Sequence, residues 1–167
     1  MAGSGIELID RAEAARRQPE FERLVEAALV AQSRARAPYS HFNVGAAVLC
    51  GSGAVHAGCN VESASYGATI CAERSAVVGA VAAGEKAIGV CVVVTPTADP
   101  SSPCGICRQL LAEFGPDMEI YAASSRSDGV YAARLSDLLP LAFWAKNLGA
   151  EPETESGPGP SRQRGEE

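Results

Sequence analysis

The chain has 167 residues, of which 47% are hydrophobic, 20% are charged and 5% are aromatic, and its formal net charge at pH 7 is −6. This length suits one domain with a core of its own. The acidic balance argues against a protein that binds duplex DNA or tRNA, because such binding depends on Lys and Arg that neutralise phosphates. We therefore expect a small neutral substrate and no nucleic-acid partner.

The sequence also argues against membrane insertion and secretion. No apolar run approaches the roughly 18 residues needed to span a bilayer. The first residues lack the basic segment and apolar stretch of a secretory signal. Six cysteines in such a chain indicate reduced thiols or metal ligands rather than disulfides. These features predict a cytoplasmic protein with no membrane partner.

The hydrophobic pattern predicts three helices, from apolar residues at helical spacing, and five strands, from short apolar runs. In chain order these are a helix that starts near Phe21 and ends before Pro38, strands 44–50 and 54–61, helix 71–83, strand 87–95, helix 104–114, and strands 118–123 and 130–135. The Gly-Ser-Gly sequence at 51–53 indicates a hairpin. The short connection between the last two strands indicates an antiparallel pair.

This order predicts an α/β domain over residues 18–149, with three α/β/α layers around a mixed five-stranded sheet. Residues 1–17 are expected to form an N-terminal arm. Residues 150–167 are rich in Glu, Pro, Gly and Ser and show no apolar periodicity, so a disordered tail is expected there.

Three cysteines stand where two of the predicted helices begin. Cys71 opens one helix, and Cys104 and Cys107 lie at the start of the next. The unpaired N–H groups and the positive end of the helix dipole favour thiolates at these positions. Three thiolates can hold zinc with its fourth position open, as in catalytic sites. Right-handed crossovers around strand 87–95 would bring both helix starts to one edge of the sheet.

Charged neighbours give this cysteine set a hydrolytic character. Glu73 follows Cys71 by two residues and could move protons beside the metal. Three thiolates and Zn²⁺ sum to −1, a charge that weakens the metal as a Lewis acid. Arg74 and Arg108 are the candidates to offset this charge by donating hydrogen bonds to cysteine sulfur.

The residues alone leave alternatives open. An isolated Cys-x-x-Cys is also typical of a structural zinc half-site or a redox pair. A closed four-cysteine site would need Cys50, Cys59 or Cys91, and all three lie in apolar runs where core residues are expected. The two histidines are His41 and His56, and His56, inside a predicted strand, is expected to be structural.

Taken together, the motifs resemble the zinc nucleoside and nucleobase deaminases, and more narrowly the free cytidine deaminases. The similar segments are 39–47, 60–66, 71–74, 102–109 and 138–143, within residues 18–148. The resemblance implies the cytidine deaminase fold and the hydrolysis of cytidine and deoxycytidine to uridine and deoxyuridine plus ammonia, in pyrimidine salvage. It also implies one zinc ion per subunit and a homotetramer with shared active sites.

The resemblance further implies a role for each site residue. Cys71, Cys104 and Cys107 would hold zinc. Glu73 would be the proton shuttle, and Arg74 would contact ligand sulfur. The substrate contacts would come from Phe42, Asn60, Glu62, Tyr66, Ala72 and Phe143.

Among these substrate contacts, Asn60 and Glu62 would hydrogen-bond the ribose hydroxyls, and Phe42 would lie against the pyrimidine. Tyr66 and Phe143 would reach the nucleoside of a neighbouring subunit. One departure is Ser63, which stands where the family usually has asparagine. Serine can still hydrogen-bond, but its side chain is shorter, so the resemblance leaves open the contact made at this position.

Three rival functions make different predictions. A blasticidin-type aminonucleoside deaminase shares the three-cysteine pattern, but Asn60, Glu62 and the 138–143 ending favour cytidine. A polynucleotide-editing deaminase usually carries His in place of Cys71 and needs a basic surface. A structural zinc interaction module, from a different class, predicts a closed fourth ligand and no turnover.

Overall fold

A computed structural model describes residues 5–149, which contain six strands and five α-helices. The strands are β1 (Glu7–Asp10), β2 (Gly45–Cys50), β3 (Val55–Cys59), β4 (Ile88–Thr95), β5 (Glu119–Ser124) and β6 (Gly129–Arg134). The helices are α1 (Arg11–Arg17), α2 (Phe21–Gln32), α3 (Ala72–Ala82), α4 (Gly105–Ala112) and α5 (Leu135–Leu138). Short 3₁₀ helices cover Tyr66–Ala68 and Ala145–Leu148.

The strands form one mixed sheet in the order β1-β6-β5-β4-β2-β3. β4 and β5 are parallel, and every other neighbouring pair is antiparallel. The expected hairpin of β2 with β3 and the expected antiparallel pair of β5 with β6 are both confirmed.

The expected count of five strands is wrong, because the sheet has a sixth. β1 comes from the segment expected to be a free N-terminal arm, and it pairs with β6, with Leu8 opposite Tyr131. It has only four residues and is largely exposed, so its sequence lacks the apolar alternation of a half-buried strand. The tail expected over 150–167 lies outside the described residues.

Helices cover both faces of the sheet, which confirms the expected three-layer α/β/α architecture. Phe21, Leu24 and Ala28 of α2 pack on one face against Val92 of β4. On the other face, side chains of α3, α4 and α5 pack against those of the sheet, among them Ala76, Leu111, Leu135, Val48, Cys91 and Ile120. Successive residues of β4 point to opposite faces, so this strand supplies both cores.

The topology brings the starts of α3 and α4 together. β3 and β4 are each antiparallel to β2, so they run in the same direction, and each leads into one of these helices. α3 also packs very closely on β3, since a Cβ atom built on Gly58 would lie 2.4 Å from the Ala76 backbone nitrogen. Glycine therefore fixes the height of α3 above the sheet, and with it the position of the residues at its start.

Candidate metal centre

The three predicted cysteine ligands meet at the starts of α3 and α4. Cys71 is the N-cap residue of α3 and Cys104 is the N-cap residue of α4. Cys107 lies in the first turn of α4. Their Sγ atoms all lie within 4.8 Å of one another, although 33 residues separate Cys71 from Cys104. The helix boundaries and the crossovers expected from the sequence therefore assemble this group.

The spacing of the sulfur atoms fits a tetrahedral zinc ion. The Cys71 and Cys104 Sγ atoms are 3.9 Å apart, and those of Cys104 and Cys107 are 3.5 Å apart. Zn–S bonds of about 2.3 Å at tetrahedral angles require a separation of about 3.8 Å. In the described residues, no fourth His, Cys, Asp or Glu belongs to this group. Zinc held here would therefore keep one position open.

The interaction between the thiols favours deprotonation of Cys71. Hydrogen bonding with the Cys107 thiol is the main cause that lowers the pKa of Cys71 to about 6. The same interaction, together with burial, raises the pKa of Cys107. Zinc would replace the protons of all three thiols, because thiolates are the ligand form.

Glu73 lies in the first turn of α3, two residues after Cys71, and its side chain is only 4% exposed. Burial raises the pKa of this carboxyl, and the nearby Cys71 adds to the shift. The backbone N–H of Glu73 and then the Cys107 thiol act in the opposite direction, and the influence of both Cys71 and Cys107 indicates that Glu73 lies near the sulfur cluster. A buried carboxyl next to an open metal position is suited to accept and return a proton.

Arg74 supplies positive charge to the same cluster. After the two neighbouring cysteines, its guanidinium is a further cause of the lowered pKa of Cys71. One terminal nitrogen donates to the Thr69 carbonyl, in the segment that leads into Cys71. Within residues 5–149, Nε of Arg74 is buried without a hydrogen-bond partner. A cysteine thiolate beside it would provide the hydrogen-bond acceptor that Nε lacks.

The two residues expected to bind ribose lie on the segment after β3. The Asn60 side chain is buried, accepts a hydrogen bond from the Val44 N–H at 2.8 Å and donates one to the Phe42 carbonyl at 2.8 Å. The Glu62 carboxylate accepts hydrogen bonds from the Tyr39 N–H at 2.8 Å and from the Ser40 hydroxyl. Both side chains therefore also hold the loop that carries Phe42.

Comparison with known proteins places this site in a family. The family model for the cytidine and deoxycytidylate deaminase zinc-binding region matches residues 19–123, which include all three cysteines and Glu73. The chain belongs to the cytidine deaminase family.

Relatives of this deaminase match most of its length. A cytidine deaminase of Halalkalibacterium halodurans is 42% identical over 126 residues, which are 75% of this chain and 95% of that protein. One from Sporosarcina psychrophila is 39% identical over 130 residues, 77% of this chain and 95% of that protein. The crystal structure of cytidine deaminase from Burkholderia pseudomallei is 46% identical, with a TM-score of 0.69, and the match covers 73% of this chain and 98% of that one. The crystal structure of cytidine deaminase from Mycobacterium tuberculosis is 38% identical, with a TM-score of 0.66, and the match covers 75% of this chain and 98% of that one.

The remaining predicted substrate residues differ widely in exposure. Phe42 is half-buried, and Ala72 is fully buried at the start of α3. Tyr66 is 74% exposed and makes an edge-on contact with Tyr39 at 5.8 Å between ring centres. Phe143 is 56% exposed, and its carbonyl accepts a hydrogen bond from Gln109 at 2.7 Å.

The expected role of Arg108 as a donor to sulfur is not what the deaminase shows. Its guanidinium donates to the Pro103 carbonyl at 2.7 Å, the Leu138 carbonyl at 2.8 Å and the Ser102 hydroxyl at 2.7 Å. Because Pro103 directly precedes Cys104, Arg108 holds the ligand segment against the end of α5 instead. Of these two arginines, Arg74 is the one positioned to act on the thiols.

Two polar residues near the deaminase site had no role in the sequence prediction. Ser40 hydrogen-bonds the Glu62 carboxylate, and the Thr69 hydroxyl accepts a hydrogen bond from the Ser63 N–H at 3.1 Å. The Ser63 hydroxyl in turn accepts from the Ser65 N–H at 3.2 Å, so the residue that departs from the family pattern stabilises a turn. Ser40 lies in the similar segment 39–47, whereas Thr69 lies in none of the similar segments, so nothing in the sequence pointed to Thr69.

Proposed function

We propose that this deaminase hydrolyses cytidine and deoxycytidine to uridine and deoxyuridine with release of ammonia, as a step of pyrimidine salvage. The observation that carries the proposal is the group of three sulfur atoms, with no fourth protein ligand among residues 5–149, together with the buried Glu73 carboxyl two residues after Cys71. Membership of the cytidine deaminase family supports the same chemistry.

The chain's own groups carry the proton movements of this reaction. When bound by Cys71, Cys104 and Cys107, zinc supplies a Lewis acid that lowers the pKa of water in its open position. We assign Glu73 the role of accepting a proton from the attacking water as a new bond forms to C4 of the pyrimidine. Glu73 passes this proton to N3, then accepts the second proton of the former water from the new C4 hydroxyl and delivers it to the amino group. The C4–N bond breaks as the C4 carbonyl forms, and ammonia is released.

The proposed substrate contacts follow from the groups around Phe42. An amide and a carboxylate together offer a donor and acceptors for a sugar diol, so Asn60 and Glu62 would bind the ribose hydroxyls. Asn60 donates a hydrogen bond to the Phe42 carbonyl, and Glu62 accepts one from the Tyr39 N–H three residues earlier. These contacts to one loop support a common pocket for sugar and base. Ala72 lies between Cys71 and Glu73 and would contact the base.

We further propose that the active enzyme is a homotetramer whose sites are shared between chains. Tyr66 and Phe143 are 74% and 56% exposed in the single chain, and Leu141, close to Phe143, is fully exposed. Burial of such side chains against a second subunit removes apolar surface from water. Light scattering after size-exclusion chromatography tests this, and a monomer at micromolar concentration contradicts it.

The cellular location remains part of the proposal. No helix among residues 5–149 is long and apolar enough to cross a membrane. All six cysteines are free thiols, which supports a reducing compartment such as the cytoplasm.

One assay separates the rival substrates. The purified protein is incubated with cytidine, deoxycytidine, cytosine and blasticidin, and the loss of ultraviolet absorbance is followed with and without a zinc chelator. We expect turnover of both nucleosides that the chelator abolishes. Turnover of blasticidin alone would support the aminonucleoside alternative. An absence of turnover with every compound would overturn the proposal in favour of a structural zinc module.

A further inference from the structure

We propose a second site for a divalent transition metal, formed by Cys50, His56 and Glu85. One ligand atom from each of the three side chains lies within 4.8 Å of the other two, the same limit that the three cysteines of the metal centre satisfy. The cluster lies beyond the C-terminal end of α3, whereas Cys71 precedes its N-terminal end. None of its members takes part in the proposed deamination, so the second site stands or falls independently of that reaction.

The sheet places the first two ligands on one face. His56 of β3 is the cross-strand partner of Val48 of β2, and Cys50 lies two residues beyond Val48. Residues two apart on a strand point to the same side, as do direct cross-strand partners. Cys50 packs among core residues that include Ala80 of α3, so this is the face that α3 covers.

The end of α3 supplies the third ligand in a fixed position. The Glu85 N–H donates to the Ala80 carbonyl at 3.1 Å, and the Gly84 N–H donates to the Val81 carbonyl at 2.9 Å. These two bonds form a Schellman motif, and Gly84 has the positive φ, 95°, that the motif requires. The Glu85 carboxylate then accepts a hydrogen bond of 2.7 Å from the Ser52 hydroxyl in the β2–β3 turn. Both the backbone and the side chain of Glu85 are therefore held in place.

Charge and ligand chemistry favour a divalent transition ion. A Cys50 thiolate and the Glu85 carboxylate together neutralise a 2+ charge, and neutral His56 adds a nitrogen ligand. Sulfur, nitrogen and carboxylate oxygen are the ligands that zinc accepts. The carbonyl end of α3 adds a favourable potential for a cation.

The surroundings suggest a structural role for the bound ion. Cys50 is only 4% exposed, and burial raises the pKa of its thiol, so in the absence of metal it is a poor nucleophile. A metal bridging the three residues would tie the β2–β3 hairpin to the end of α3. Because the unfolded chain does not hold the three ligands together, binding would stabilise the folded protein.

The test is a zinc titration of the zinc-loaded enzyme, followed by dialysis, with zinc per chain read by elemental analysis and the melting temperature measured in parallel. We expect wild type to take up a second zinc ion and to melt at a higher temperature. Cys50→Ala, His56→Gln and Glu85→Gln should each hold one zinc and lose the temperature rise. Ser52→Ala should lower the affinity for the second zinc ion about 10- to 100-fold, the usual effect of removing a group that orients a ligand.

The other histidine provides a matched control. His41 has a positive φ of 55° that asparagine tolerates, so His41→Asn should still bind two zinc ions. Glu85 is half-buried and lies outside the core, so Glu85→Gln should fold. This variant therefore tests the second metal site even if Cys50→Ala fails to fold. A wild-type protein that stays at one zinc throughout the titration would overturn the second site. So would a second ion that all three ligand variants retain.

Discussion

The Asn60 side-chain amide donates a hydrogen bond of 2.8 Å to the backbone carbonyl of Phe42. Asn60, which is proposed to bind the sugar, therefore also fixes the loop that carries Phe42. The Phe42 ring is the group proposed to lie against the base. A substitution that disturbs the contact to the Phe42 loop should also disturb the contact to the sugar. Truncation of the Asn60 side chain therefore removes both contacts at once.

Asn60→Asp tests this coupling because it retains the acceptor for the Val44 N–H and removes the donor to Phe42. Two oxygens would then face each other in a buried position, at a cost of about 1–3 kcal/mol. We expect kcat/KM for cytidine to fall, mainly through a higher KM, and the melting temperature to drop. Asn43→Ala, at an exposed asparagine in the same loop, is the control and should leave both unchanged. Unaltered kinetics in Asn60→Asp would remove Asn60 from the substrate pocket.

The sequence predicts the sheet core well because its strands carry strong patterns. The continuous apolar run in β4 and the glycines between β2 and β3 identify those elements almost to the residue. β1 is missed for the opposite reason, since its pairing with β6 depends on backbone hydrogen bonds that any side chain permits. A short exposed edge strand leaves almost no trace in hydrophobicity.

The metal centre is predictable to a similar degree. Cys71, Cys104 and Cys107 are predicted as ligands because cysteines at two neighbouring helix starts are well placed to bind a metal as thiolates. The direction of a long side chain is not predictable in the same way. Arg108 and Arg74 both follow a motif, yet only Arg74 lies against the thiols, because the carbonyls of Pro103 and Leu138 engage Arg108.

Glu73→Gln tests the proton shuttle. Glutamine has nearly the same shape as glutamate, so the buried site and its zinc should persist, but it cannot accept the proton. We expect kcat to fall by at least the 10²- to 10⁴-fold that general acid–base catalysis usually contributes. Zinc per chain and the melting temperature, measured on the same sample, serve as internal controls. Near-wild-type turnover would exclude Glu73 as the shuttle.

Cys104→Ser tests the assignment of the metal ligands. Serine is a poor zinc ligand, so this variant should lose zinc and activity together, and because Cys104 is exposed the fold should persist. Elemental analysis gives the zinc content, and circular dichroism reports the fold. Cys59→Ser is the matched control, since Cys59 lies outside both metal clusters, and it should retain full zinc. Retention of zinc by Cys104→Ser would contradict the assignment.

Asp10→Ala tests whether the unexpected N-terminal elements contribute to stability. Asp10 ends β1, and its carboxylate caps α1 by accepting a hydrogen bond of 2.7 Å from the Glu13 N–H. Loss of an N-cap usually costs about 1 kcal/mol, which for a chain of this size lowers the melting temperature by about 2–4 °C. Asp128→Ala, at an exposed turn, should have no measurable effect. An equal melting temperature for both variants would show that α1 gains nothing from its cap.

Ser40→Ala tests the electrostatic link between Ser40 and Glu62. The Ser40 hydroxyl is the main cause that lowers the pKa of Glu62 below its ordinary value of 4.5, and the N–H groups of Tyr39 and Ser40 add to it. A lowered folded-state pKa means that this contribution to stability is complete above the unfolded pKa and is lost as the pH falls through the folded pKa. In Ser40→Ala the Glu62 pKa should rise, so the loss of this stability should begin at a higher pH.

Carbon NMR of the Glu62 carboxyl follows the titration directly. Ser33→Ala, at an exposed serine remote from Glu62 in sequence, should leave it unchanged, and an identical titration in Ser40→Ala would show that the hydroxyl does not hold the carboxylate.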